Sequence, residues 1–191
     1  MIIDNVSDNI LFIFHYPLSI IHFTVQDQET TNPDDFTNIF RAPETGRLLA
    51  LDLGTKHVGV AVSDQLQFTV RPICVLERGG WKKFLKQIIS FLEEFDAVGL
   101  VLGLPLEFDG SESEMSAEAR RVARNFSRSV KVPVFLQDER VSSYDAKGYL
   151  TKLGLSEKEI WERVDSQAAA IILSDFITLR NQTIKRKNEN L

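Results

Sequence analysis

The chain of 191 residues contains one cysteine, Cys74, and only three histidines. A single cysteine excludes an intrachain disulfide and any zinc site built from cysteines, and it fits a reducing cytoplasm. Tracts of one repeated residue are also missing, and 43% of the residues are hydrophobic against 26% charged. Fibrous and mainly disordered proteins are therefore excluded, and we expect one soluble folded domain.

A hydrophobic run long enough to cross a membrane is missing as well. The most apolar stretch, residues 10–25, is interrupted by His15, Pro17 and His22 and is shorter than the ~20 residues that span a bilayer. Asp4 and Asp8 precede it, where a signal peptide needs positive charge. We expect neither a signal peptide nor a membrane anchor.

Negative charge is concentrated at the amino terminus. Residues 1–46 contain seven acidic residues and one arginine, which is a net charge of -6. The whole chain has a net charge of -5, so the other 145 residues, with 21 bases and 20 acids, have a net charge of +1. The whole-chain pI of 5.3 therefore does not exclude a nucleic-acid partner. Residues 26–46 are polar and lack apolar periodicity, which is typical of a linker. We expect a poorly ordered, dispensable extension over 1–46, a domain over 47–180 and a frayed polar tail over 181–191.

The pattern after residue 46 predicts an α/β domain with a mixed sheet. Apolar runs predict strands at 48–53, 57–63, 68–76, 97–103 and 132–136. Helical spacing predicts helices at 81–95, 114–129, 142–153 and 164–179, with a short helical turn at 156–161. Three strands in succession, followed by strands that alternate with helices, favour a mixed sheet flanked by helices.

Three carboxylates occupy unusual places in this pattern. Asp52 interrupts the first strand, whose continuous apolar character indicates burial on both faces, and a charge there is costly unless it is paired. Glu139 directly follows the last predicted strand, at the kind of strand end where ligands gather in such sheets. Asp165 stands at the predicted start of the last helix. Each has an ordinary explanation too: a turn acceptor, a solvated loop residue and a helix N-cap, respectively.

Together, the three acids would form a site for hard cations. Carboxylates gathered in an apolar setting raise one another's pKa values unless cations bind. Oxygen ligands without histidine or cysteine suit Mg²⁺ or Mn²⁺. Two such ions can activate a water and stabilise the leaving oxygen in phosphodiester hydrolysis.

Four segments follow one another in a recognisable order: LLALDLGTKHVGVAVSD, VGLVLGLPLEFDGSESEMSAEARRVARNF, QDERVSS and VDSQAAAIIL. They resemble those of the RuvX (YqgF) family of Holliday junction resolvases or pre-16S rRNA processing nucleases, and the resemblance covers about residues 47–179. It implies an RNase H-like fold and a cytoplasmic, metal-dependent nuclease of ribosomal RNA maturation. Matched position by position, it implies that Asp52, Glu139 and Asp165 are the catalytic metal ligands. The first 46 residues match nothing in the family.

Basic residues supply candidate contacts to a nucleic acid. Arg120, Arg124 and Arg128, with Arg121, fall within a 100° arc of their predicted helix, which suits phosphate binding or a merely solvated face. Lys56 and Arg140 stand next to the proposed catalytic positions and are better placed to hold the scissile phosphate. The turn residues Gly54 and Thr55 complete the set of predicted substrate contacts.

Other functions remain open at this point. An actin-like ATPase or sugar kinase also uses a DxGT hairpin, but too few residues follow position 179 to build its second domain. A non-catalytic rRNA-binding assembly factor could retain the same carboxylates. Within the nuclease class, rRNA precursor and branched DNA are both possible substrates, and a resolvase of symmetric junctions would need a homodimer with paired active sites.

Overall fold

The computed structural model describes residues 35–141 and 157–189, and at 141 and 157–166 it describes the backbone alone. All of these residues fall in one unit, Asn32–Leu191. The predicted helix over 142–153 and the apolar stretch 10–25 lie outside the described residues. No helix in the described ranges is long and apolar enough to cross a bilayer.

Five strands form one mixed sheet. They are β1 (Arg47–Leu53), β2 (His57–Ser63), β3 (Val70–Glu77), β4 (Ala97–Leu104) and β5 (Val134–Asp138). The order across the sheet is β3-β2-β1-β4-β5, with β1–β2 and β2–β3 antiparallel and β1–β4 and β4–β5 parallel. The predicted mixed sheet, in which antiparallel strands are followed by parallel strands, is confirmed.

Helices cover both faces of this sheet. α1 (Trp81–Glu94) and α2 (Glu114–Ser127) bury Phe84 and Phe126 in one core, which they share with Leu49 and Leu51 of β1. α3 (Glu157–Glu189) buries Ile172, Leu173 and Phe176 in a second core with Leu48 and Ala50 of the same strand. Because successive side chains of a strand point to opposite faces, β1 divides its residues between the two layers.

The last helix is longer than predicted at both ends. It runs without a break for 33 residues, so the predicted helix at 164–179 is confirmed but with bounds that are too narrow. The predicted turn at 156–161 belongs to the same helix over its described residues, and residues 181–189, which were predicted to be a frayed tail, are helical as well. Asp165 consequently lies inside the helix, and the N-cap explanation fails. The sequence beyond residue 180 is polar because most of these residues lie on an exposed helix surface, and it therefore resembles a tail. Arg180, in contrast, is only 2% exposed and donates to the Pro43 carbonyl, which holds this part of the helix on the domain.

Residues 35–46 pack on the domain, so the predicted linker is wrong for its described part. Phe36 is 5% exposed in the core of α1 and α2, and its carbonyl accepts a hydrogen bond of 2.8 Å from the Leu136 backbone. Ala42 is buried in the other core, and Gln67 Nε2 donates to the Pro43 and Gly46 carbonyls. The apolar residues 36, 39 and 42 recur at helical spacing over too short a stretch, around the 3-10 turn Ile39–Arg41, to be recognised as a pattern.

We therefore expect a chain that begins at Thr45 to be less stable than one that begins at Asn32. Losing Phe36 uncovers core side chains and leaves the Arg180 and Gln67 donors without the Pro43 carbonyl, so the free energy of unfolding should fall by about 2–5 kcal/mol. Urea denaturation of both chains measures the difference. Phe36→Ala in the longer chain should reproduce much of the loss, and identical midpoints would contradict the packing.

Candidate active site

Two of the three predicted carboxylates lie at one edge of the sheet. β1, β4 and β5 run parallel, so their carboxyl ends share an edge. Asp52 is the next-to-last residue of β1, and Glu139 begins the short 3-10 segment Glu139–Val141 that follows β5. The strand between them is β4. The two acids thus approach each other across one intervening strand.

They also share a face. Leu48 and Ala50 belong to the core under α3, so the alternation of β1 places Asp52 on the same face, two residues farther along. On β5, Phe135 belongs to that core, and the same alternation leads through Gln137 to Glu139. This face of the sheet edge is where α3 packs.

Gly103 of β4 makes room for the Glu139 carboxyl group. A Cβ atom at this position would overlap Glu139 Oε1 and would lie 2.9 Å from Glu139 Cδ and 2.8 Å from Ile172 Cδ1. Gly103 pairs with Gln137 in the sheet, and β1 flanks it on the other side. Gly103 is the last residue of the strand predicted at 97–103, and it was not among the predicted site residues. Its signal was its position, one residue before the end of a buried strand between the two acids.

Burial and neighbouring charge make the ionised form of Glu139 unfavourable. Removal from water, with the negative charges of Asp52 and then Asp138, raises the pKa of Glu139 from 4.5 to about 7. Its neighbour is shifted in the opposite direction, since the Arg140 guanidinium lowers the pKa of Asp138. A cation between Asp52 and Glu139 would favour the charged form of both.

The third predicted ligand is placed only by the backbone of α3. Position 165 precedes Ala169 and Ile172 by four and seven residues, so all three positions share one helix face, and the latter two are buried. The side chain of Asp165 is outside the described part. Among the side chains that are described, no group of three histidine, cysteine, aspartate or glutamate residues could hold a metal ion.

The turn between β1 and β2 is anchored from the start of α1. A Cβ at Gly54 would lie 2.8 Å from the His57 carbonyl oxygen, so the turn closes tightly there. Arg78 donates through Nη1 to the Gly54 carbonyl at 3.0 Å and through its backbone to the Lys56 carbonyl at 2.8 Å. Thr55 and Lys56 remain exposed. Arg78 was not among the predicted site residues.

Arg140 lies at the same edge but is already engaged. Its guanidinium donates to both Asp138 oxygens, at 2.6 Å from Nη2 and 3.0 Å from Nε. A Cβ at Gly110 would lie 2.8 Å from Arg140 Nη1, so this side chain also packs against the loop that follows β4. Arg140 holds this loop beside the segment that carries Glu139.

The arginine stripe of α2 is not next to the carboxylates. α2 packs on the face of the sheet opposite α3, so these arginines lie across the sheet from the side on which Asp52 and Glu139 stand. Arg120 forms a 2.7 Å ion pair with Glu112, whereas Arg124 and Arg128 are exposed and form no ion pair within the described residues. The structure thus separates this part of the predicted substrate contacts from the rest.

The raised pKa of Glu139 predicts a pH-dependent stability. A carboxyl group whose folded pKa lies above its unfolded value binds more protons when folded, so the metal-free protein should lose stability as pH rises from about 4.5 to about 7. Glu139→Gln should remove this loss, so the variant should gain about 1–3 kcal/mol relative to wild type between pH 5 and pH 8. Denaturant midpoints measured in EDTA at both pH values give the difference.

Asp52→Asn provides the matched variant for that measurement. It removes the second cause of the shift but leaves the burial of Glu139, so it should shrink the pH dependence without abolishing it. A wild-type protein whose stability is the same at pH 5 and pH 8 would contradict the electrostatic account.

Solved structures that align with this chain include those of resolvases. T. thermophilus RuvC in complex with a Holliday junction substrate aligns with a TM-score of 0.43 and 15% identity, over 73% of this chain and 96% of that one. The yeast mitochondrial Holliday junction resolvase Ydc2 aligns with a TM-score of 0.42 and 14% identity, over 78% and 86%.

Sequence relatives are considerably closer. A protein of Anaeromyxobacter sp. named "Putative pre-16S rRNA nuclease" is 38% identical over 135 residues, which are 71% of this chain and 98% of that one. A protein of the same name from Paracoccus denitrificans is 39% identical over 131 residues, 69% of this chain and 83% of the relative. The family model described as "RuvX: Holliday junction resolvase" matches residues 46–179. The chain belongs to the RuvX family.

Proposed function

We propose that this protein is a cytoplasmic, metal-dependent nuclease that hydrolyses phosphodiester bonds at the 5' end of pre-16S rRNA, with Asp52, Glu139 and Asp165 as its catalytic residues. The observation that carries the proposal is the approach of Asp52 and Glu139 across Gly103, where Glu139 has a pKa of about 7. Carboxylates arranged in this way are poorly suited to stabilising the fold, but they suit a cation and a phosphate group.

The donor set fits a divalent cation. Asp52 and Glu139 offer oxygen atoms on one face of the sheet edge, and Asp165 would add a third carboxylate from α3. Mg²⁺ and Mn²⁺ prefer such oxygen ligands, and either ion, when bound, would polarise the phosphate and lower the pKa of a bound water.

The side chains of the protein have distinct parts in this proposal. Asp52 stands on a central strand that is hydrogen-bonded on both sides, so its position is fixed by the sheet. Glu139 has a pKa near neutrality in the metal-free site, which suits proton exchange with a water molecule. Gly54, Thr55 and Lys56 in the β1–β2 turn, and Arg140 beyond β5, would contact the phosphates on either side of the scissile bond.

The α2 arginines would act farther from the chemistry. Arg124 and Arg128 are exposed, and Arg120 would have to exchange Glu112 for a phosphate. Since they lie across the sheet from the carboxylates, we assign them to a distal part of the nucleic acid.

Pre-rRNA is favoured over branched DNA because relatives that share 38–39% of their residues with this chain carry the name of a pre-16S rRNA nuclease. The family description as a Holliday junction resolvase supports the second candidate, for which a homodimer would be needed. Cleavage of a pre-16S leader and of a four-way DNA junction, each with Mg²⁺, Mn²⁺ or chelator, separates the two. A protein that binds the leader but cleaves neither probe would be an assembly factor instead.

Asp52→Asn should lower cleavage of the better substrate by at least about 100-fold, because loss of a charged ligand removes several kcal/mol of transition-state stabilisation. The melting temperature should not fall, since the substitution relieves repulsion with Glu139. Asp96→Asn is the matched control: Asp96 is exposed, precedes β4 at the opposite edge and has a φ of 46°, which asparagine tolerates. Full activity of Asp52→Asn, or activity that EDTA leaves unchanged, would refute the mechanism.

Gly103→Ala should lower cleavage by roughly 10- to 100-fold, because the added methyl group displaces the Glu139 carboxyl group. Gly99→Ala is its control on the same strand and face, where a Cβ would lie 2.8 Å from Leu48 Cδ2 instead. Both variants should lose about 1–3 kcal/mol of stability through overpacking. Activity measured well below the melting temperature should fall for position 103 alone, and equal activity of the two would exclude this role for Gly103.

A further inference from the structure

The charges of α1 are arranged against its own helix dipole. Lys82 and Lys83 stand in its first turn, Glu93 and Glu94 in its last, and no acid occurs in the first turn or base in the last. The positive end of the helix dipole favours acids at the start of a helix, and the negative end favours bases in its last turn. α2 has the favourable arrangement, with Glu114 in its first turn, Arg124 in its last and a Ser113 capping box. Helix stability therefore does not account for the lysines of α1.

Three lysines form an exposed surface on this helix, which we call the α1 lysine face: Lys82, Lys83 and Lys86. They fall within a 100° arc, opposite the buried Phe84 and Ile88. Residues 78–92 contain no acid, and within the described residues none of the three lysines forms an ion pair. No ion pair among the described residues therefore offsets their positive charge.

The start of α1 adds to this positive potential. Its N-cap is Gly80, which offers no side chain to accept from the first backbone N–H groups. A shallow depression of about 610 Å³ lies at this end of the helix, and it is lined by Gly80, Trp81 and the α1 lysine face. The ring of Trp81 is held 5.0 Å from that of Phe126, so the apolar wall of the depression is fixed by the core. An anionic ligand would meet lysines, an uncapped helix start and an aromatic ring.

The depression lies near the β1–β2 turn, on the face of the sheet opposite Asp52 and Glu139. Arg78, two residues before Gly80, donates to the carbonyls of Gly54 and Lys56 in the β1–β2 turn. This turn begins two residues after Asp52. A nucleic-acid strand that passes around this edge of the sheet at the exposed Lys56 would reach the face on which α1 lies.

We infer that the α1 lysine face binds the phosphodiester backbone of the substrate strand where that strand leaves the active site over the turn Gly54–Lys56. The inference rests on the proposed function for the identity of the strand. It assigns the strand a path that is separate from the arginine stripe of α2. Binding there reads phosphate charge, so RNA and DNA of one sequence should be held alike.

The test compares two variants of equal charge. One carries Lys82→Gln, Lys83→Gln and Lys86→Gln, and the control carries Lys185→Gln, Arg186→Gln and Lys187→Gln near the end of α3. Both lose three positive charges from exposed helix positions. Binding of a labelled single-stranded 20-mer, as RNA and as DNA, is titrated against KCl in EDTA, so that no cleavage is needed. The slope of log K against log salt is negative, and the loss of three phosphate contacts should make it less steep by about 2 in the first variant.

The outcomes separate this inference from the proposed function. A reduced slope in the α1 variant with a wild-type slope in the α3 control supports the path, even if the wild-type protein cleaves no probe with Mg²⁺. Equal slopes in both variants overturn it and leave the lysines as a solvated surface or a site for an acidic protein. With an active wild type, the α1 variant should raise KM several-fold at an unchanged kcat, and an unchanged KM would also overturn the inference.

Discussion

The repulsion between Asp52 and Glu139 is the constraint on which the rest of the site depends. Burial raises the pKa of Glu139 most, and the negative charge of Asp52 raises it further, so it is unfavourable for both carboxylates to be ionised. The surrounding structure keeps them together despite it. Asp52 is fixed by ladders to β2 and β4, and Glu139 occupies space that a missing side chain leaves at Gly103. The adjacent acid, Asp138, is neutralised by Arg140 rather than left to add its full charge. The sheet thus holds in place an arrangement that a cation would complete.

Alternation of side chains along the strands gave reliable sequence predictions because it is a local property. Central apolar strands, the interruption at Asp52 and the acid after β5 could all be recognised without tertiary information. Gly103 and Arg78 could not, since their importance arises from contacts across the sheet: one lies under Glu139, and the other reaches the Gly54 carbonyl from a distant loop. A glycine in a strand or an arginine in a loop is too common to be singled out by type.

The two errors in element boundaries have a common physical cause. Residues 35–46 and the end of α3 both look like unstructured termini by composition, yet they stabilise each other through Arg180, which donates to Pro43 from a buried position. The Phe36 side chain is buried in the core on the other face of the sheet, and its carbonyl accepts a hydrogen bond from the Leu136 backbone. Polarity predicts exposure well, but a few buried anchors decide whether an exposed segment is ordered. The partners of these anchors are a hundred or more residues apart, so no local window contains both.

The two helix layers lie on faces of the sheet that carry different charged groups. Negative charge gathers on the α3 face at the strand ends, whereas α1 and α2 present lysines and arginines on the other face. A polyanion attracted to the second layer can reach the first only around the edge of the sheet, and the β1–β2 turn forms part of that edge. The turn is held by backbone and side-chain bonds from Arg78, whose own charge is paired with Glu118. Lys56 at its tip is therefore positioned by a rigid support while remaining exposed. The reversed charges of α1 follow from the same division, because lysines in its first turn place positive charge beside this edge, where helix stability alone would favour acids.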